Sequence, residues 1–158
     1  MTIYEIFQTI FSAILAIGVV IAAYEYRSQH KWNRKENALS YSTLYHPELQ
    51  LMKVELHDKL SIMSGNKIIP LKDIKQKLTP DLLIKLYSVL DYYEDMSLAY
   101  FHNIADGDVL FDLIGPPLIS YRNQLKDFIE DQRTTRNMKD LWINMENLSI
   151  LWELKINK

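Results

Sequence analysis

Cysteine is absent from the 158 residues. That excludes a disulfide framework, a zinc–thiolate site and a cysteine nucleophile, and it suits a reducing compartment. Glycine is scarce, with four residues, and no Gly-rich phosphate loop is present. A surplus of charge is missing too: the formal net charge is −2, which argues against nucleic acid as a partner. Nowhere does an apolar alternation of period two persist, so no sheet is expected. What is plentiful is Leu, Ile, Lys, Asp and Tyr, a balance that favours helix. The length suits one helical domain plus an anchor, and the domain is long enough to bury a core without a metal or disulfide staple.

One stretch lacks charge altogether. Residues 6–24 read IFQTIFSAILAIGVVIAAY, close to the roughly 20 apolar residues that carry a helix across the hydrocarbon core. Tyr4 on one side and Tyr24 and Tyr26 on the other bracket it as an aromatic belt. A cleaved signal peptide would want a basic start, yet residues 1–5 hold no Lys or Arg. A buried core helix is the other competitor, but apolar character all round is more typical of a span. Arg27, Lys31, Arg34 and Lys35 follow the segment and only Glu5 precedes it. Positive residues stay inside. The expected organisation is an external N-terminus (1–5), a transmembrane helix (6–24), a basic juxtamembrane helix (25–46) and a cytoplasmic α-helical domain (47–158), placed in the inner membrane as a single-pass protein.

Within the span Thr9, Ser12, Ala16 and Ala23 share one side, with Val19 between them, and form the expected helix-packing face because small side chains let backbones approach. Gly18 and Ala22 make a shorter pair elsewhere. The basic flank, Arg27, Lys31, Trp32, Arg34 and Lys35, has two readings: it sets topology only, or it also holds anionic lipid headgroups.

Beyond it, Pro47 suits the first turn of a helix whose face is Leu49, Met52, Leu56, Leu60 and Met63, ended by Gly65-Asn66. Pro70 opens a short piece with Leu71, Ile74 and Leu78. Thr79-Pro80-Asp81 starts a long helix to about Asn103, with Leu83, Leu86, Leu90, Tyr93, Ser97 and Tyr100 on one face. Asp106-Gly107-Asp108 feeds a shorter helix stopping near Gly115, and Pro116-Pro117 restarts the chain with Leu118, Tyr121, Leu125, Phe128 and Ile129 inward. Thr134-Thr135 should cap a final helix with Met138, Leu141, Met145, Leu148, Leu151 and Trp152 inward. The fold class is all-α: one transmembrane helix, then an irregular bundle.

The run LYSVLDYYEDMSLAYFHNIADGDVLFDLIGPPLISYRNQLKDFIEDQR, followed by LWINMENLSILWE, resembles the bacterial and phage family known as domain of unknown function 4760. The matching positions are Tyr93-Glu94, Asp106 to Asp112 and Tyr121-Arg122, over about Leu78 to Trp152. The Gly115-Pro116-Pro117 break departs from the pattern. The resemblance implies one membrane helix followed by a helical domain and a phage or prophage setting, and it brings no activity.

No catalytic, cofactor-binding or metal-binding residue stands out. Between Leu86 and Tyr121 there is no Lys or Arg, while Asp91, Glu94, Asp95, Asp106, Asp108 and Asp112 are acids. A divalent cation is the sharp reading of that run. Helix capping and solvated faces are the bland one, since the later ligands of a calcium loop and any Glu-x-x-His pair are missing. Glu94 and Arg122 are candidates for a structural ion pair. Arg122-Asn123 resembles the start of the motif of helical prokaryotic ribonucleases, but Asp127, Phe128 and Ile129 stand where its histidine would fall, so no general base is in reach. A Ser-His-Asp set is not selected by anything in the chain. Tyr87, Tyr92, Tyr93, Tyr100 and Tyr121 suit either a core with hydroxyl tips at the surface or a partner-binding face.

These features favour a membrane-tethered, non-enzymatic interaction module, linked to phage or antiviral biology by the resemblance alone. Its expected partners are membrane lipids and a second copy or another protein, with no cofactor and no nucleic acid. The alternative is an oligomeric effector that forms a pore or alters permeability. A membrane-bound hydrolase is a third, weaker reading.

Overall fold

The computed structural model describes residues 2–42, 46–63 and 67–156, apart from the side chains of Glu5 and Thr9. Seven helices run α1 (Ile3–Ser40), α2 (Pro47–Leu60), α3 (Leu71–Lys77), α4 (Pro80–Phe101), α5 (Gly107–Gln124), α6 (Lys126–Arg136) and α7 (Ile143–Ile156), with no strand among the described residues. The apolar stretch of α1 has a mean hydropathy of 2.3 and none of it is buried. Among the described residues it is the one helix long and apolar enough, by length and composition, to cross a membrane. At 38 residues α1 is about 57 Å long, far beyond the apolar stretch itself.

The core lies among α2, α4, α5 and α7, around Leu56, Leu86, Leu90, Tyr93, Leu110, Leu118, Tyr121 and Trp152. Thr79 starts α4 as expected, its hydroxyl accepting from the amide of Leu82 at 3.2 Å, and Asp106 caps α5 through the amides of Asp108 and Val109. Several boundaries differ from expectation, some for local and some for tertiary reasons. α1 ends at Ser40, short of residue 46; the Ser40 hydroxyl donates to the carbonyl of Asn37, and that of Tyr92 from α4 donates to the carbonyl of Tyr41. α2 ends at Leu60 with Ser61 left-handed (φ 59°), which leaves Met63 exposed; the expected Gly65-Asn66 stop lies outside the described residues.

The proline pair does not break α5. A residue before proline is pushed out of the helix by a clash of the ring with its N–H and its Cβ, and Gly115 lacks the second. Burial of Ile114, Gly115 and Leu118 then holds the helix together across two missing amide donors. The break falls instead at Leu125, because the Gln124 carbonyl is taken by the amide of Ile69 at 2.9 Å. Thr134-Thr135 does not cap the last helix either. Both lie inside α6, where Thr134 donates to the carbonyl of Glu130, and Met138 is exposed.

Candidate functional site: the junction of the long first helix and the bundle

α1 meets the bundle through its last turns. Arg34 Nη2 donates to the carbonyl of Ala105 at 3.2 Å, and Asn37 Nδ2 donates to that of Ile104 at 3.1 Å. In return the amide of Asp106 donates to the carbonyl of Arg34 at 3.0 Å. Ala38, one turn on, is fully buried. The α4–α5 connection is thereby tied to a helix that continues without interruption into the apolar segment. Beside the junction opens a cleft of about 720 Å³, lined by Arg34, Tyr100, Asp108, Trp152, Leu154 and Lys155 among others. Lys155 spans it to Asp108 at 3.0 Å.

These contacts correct one expectation. Arg27, Lys31, Trp32 and Lys35 are exposed, but Arg34 is half-buried and turned to the bundle, so its guanidinium is a docking group. On the apolar stretch Ser12, Ala16, Val19 and Ala23 are exposed and uncovered within the single chain; the side chain of Thr9 lies outside the described residues.

Glu94 and Arg122 do not pair with each other. Glu94 caps α7: its carboxylate accepts from the amide of Met145 at 2.7 Å, and from the amide and side chain of Asn144 at 3.2 and 2.7 Å. Arg122 instead faces Glu146 at 3.7 Å and Glu153 at 3.8 Å on α7, and Arg133 bonds Glu146 at 2.7 Å. The other acids of the Lys-free and Arg-free run are dispersed. Asp91 accepts from the Trp142 indole at 2.7 Å, Asp106 caps α5, and Asp95 and Asp112 are exposed. Among the described residues no three His, Asp or Glu side chains gather as a metal would need.

The tyrosines do not form an exposed face. Tyr93 and Tyr121 are buried with ring centres 5.3 Å apart, and Tyr87, Tyr92 and Tyr100 are half-buried. Nor do all the hydroxyl tips reach solvent: that of Tyr93 is buried without a hydrogen-bond partner. Between them sits a group the sequence reading passed over. The Lys53 ammonium lies 4.7 Å from the ring centres of both Tyr92 and Tyr93. Burial lowers its pKa to about 8 and raises that of Tyr92 to about 12. Burial also raises Tyr121 and, well above the ordinary value, Tyr93. The signal was available: Lys53 falls four residues after Leu49 and three before Leu56, on the apolar stripe of α2.

The arrangement is suited to holding one helix at a fixed attitude to a bundle; Glu94 and Asp106 are engaged in caps, Arg122 and Arg133 in ion pairs, and Arg34 and Asn37 in docking bonds. No curated protein and no solved structure matches the chain significantly. A family match does exist, over residues 12–152, and it begins inside the apolar segment, so it extends well beyond the resemblance seen from Leu78 onward. The chain belongs to the family described as Domain of unknown function (DUF4760).

Proposed function

We propose that the protein is a membrane-tethered, non-enzymatic interaction module: α1 crosses the inner membrane with its N-terminus outside, and the bundle works in the cytoplasm. The observation that supports this is the continuity of α1 from the uncovered apolar stretch into the Arg34–Asn37 docking site. A span welded in this way passes its position and association state to the bundle. Self-association runs through Ser12, Ala16 and Ala23, whose small side chains let a second span approach closely.

The test is the oligomeric state of the purified full chain in mild detergent. An oligomer that Ala16→Leu dissociates, while Ile14→Ala on the opposite side leaves it intact, supports the reading; a wild-type monomer sinks the self-association. A reporter fused after Lys158 that is active outside the cytoplasm overturns the orientation. A closed ring together with depolarisation of expressing cells would favour the pore-forming effector.

A further inference from the structure

The direction of α1 defines which end of the bundle faces the span. Tyr92 meets Tyr41, whereas Ile104 and Ala105 meet Asn37 and Arg34, so α4 runs antiparallel to α1 and its C-terminus points back toward the apolar segment. α7 runs alongside α4 in the same direction, since Asp91 meets Trp142, Glu94 meets Asn144 and Tyr100 meets Trp152. The end of the bundle nearest the span therefore carries Phe101 (42% exposed), Ile104 (49%), Leu151 (45%) and Leu154 (60%). Four large apolar side chains at one end, around the cleft that Arg34 and Lys155 line, are not the pattern of a solvated surface.

The basic side of that end lies on α1: Arg27 and Lys31 stand between the span and the docking site, with Lys35 beside it, and they outnumber Glu25 and Glu36 there. Asp106 and Asp108 stand on the bundle side of the cleft. Lys155 lies 5.1 Å from the centre of the Phe111 ring and pairs with Asp108 across an exposed gap, a bond weak enough to exchange for a lipid phosphate. The distance is bridgeable. Arg34 lies ten residues past Tyr24, about 15 Å along the axis. The headgroup layer occupies roughly 5–8 Å of that, and the tilt of about 20° common to spans lowers the bundle side further.

We propose that this end of the bundle rests on the anionic inner leaflet, with Phe101, Ile104, Leu151 and Leu154 at the headgroup boundary and Lys31, Lys35 and Lys155 on lipid phosphates. The proposal rests on the reading of α1 as an inner-membrane anchor. Contact of this kind makes the attitude of the bundle depend on the lipid beneath it, so the composition of the leaflet becomes an input to the module.

The absence of cysteine allows single thiol labels on the full chain. Leu154→Cys, Met138→Cys at the far end and Leu15→Cys in the span each carry an environment-sensitive fluorophore in vesicles of brominated lipid. Phosphatidylcholine vesicles with and without phosphatidylglycerol are compared. The expected result is strong quenching at Leu15→Cys in both lipids, and at Leu154→Cys severalfold more quenching than at Met138→Cys when phosphatidylglycerol is present. Lys31→Gln combined with Lys155→Gln should reduce the Leu154→Cys signal and leave that of Leu15→Cys unchanged. Quenching at Leu15→Cys with none at Leu154→Cys overturns the contact and leaves the anchor standing; no quenching at Leu15→Cys overturns the anchor itself. Quenching at Leu154→Cys that ignores phosphatidylglycerol overturns the anionic preference. Protection of Leu154→Cys from thiol reagents without quenching, lost on dilution, overturns the proposal in favour of a second copy.

Discussion

Glu94 shows how much one side chain carries. It sits inside α4 yet supplies the N-terminal cap of α7, with both oxygens engaged. Glu94→Ala leaves two helix-start amides without partners and should cost about 2 kcal/mol, read as a fall in the denaturation midpoint of the full chain in detergent. Lys53 acts in the opposite sense. Its native pKa of about 8 lies below the 10.5 of the free side chain, so between those values the unfolded chain holds more protons and stability rises with pH. Tyr92, Tyr93 and Tyr121 are raised above 10; beyond pH 10 the unfolded chain loses protons first and stability falls. Urea unfolding across this range should show a maximum near pH 9–10 for the native sequence. Lys53→Met should abolish the rising limb and keep the falling one.

Among the elements, α5 depends most on its surroundings. Gly115 precedes two prolines, and a Cβ there would meet Phe111 Cδ2 at 2.8 Å. The Phe111 ring is packed edge-on against Trp152 at 5.4 Å, so it cannot yield without disturbing the α5–α7 contact. Alanine ordinarily gains up to about 1 kcal/mol over glycine inside a helix. Here the crowding and the pre-proline restriction outweigh that gain, and Gly115→Ala should destabilise by about 1 kcal/mol, measured as a lower thermal midpoint. α7 makes the same point from its N-terminus. Trp142 is held left-handed at φ 55°, a conformation that costs a bulky residue about 1–2 kcal/mol, and its indole bond to Asp91 helps hold it there. Tryptophan there is no local start signal, whereas Thr134-Thr135 has the residue types of one.

For the whole molecule the decisive feature is the joint between α1 and the bundle. It uses few bonds, so it is open to test without unfolding the core. Arg34→Ala removes a charged donor from a backbone carbonyl and should weaken the joint by about 1 kcal/mol. The expected readout is a broadened distance distribution between nitroxides on Ser28→Cys and Lys139→Cys, with the thermal midpoint of the bundle little changed. An unchanged distribution would mean that Asn37, Ala38 and the Asp106 amide on the carbonyl of residue 34 hold the joint without the guanidinium.

The apolar segment, the all-helical class, the Pro47, Pro70 and Thr79-Pro80 starts and the Asp106 cap were legible in the sequence. Each depends on neighbours within a turn or on composition over a window. The end of α1, the unbroken α5, the late start of α7, the inward turn of Arg34 and the clamp on Lys53 were not. In those places a backbone group or a charge is satisfied by a residue far along the chain: Tyr92 for Tyr41, Ile69 for Gln124, Glu94 for Asn144 and Met145, Ala105 for Arg34. Local pattern determined what kind of helix each stretch could be. Where a helix stops, and which charged side chain faces inward, was decided only once packing had brought distant partners within hydrogen-bond reach.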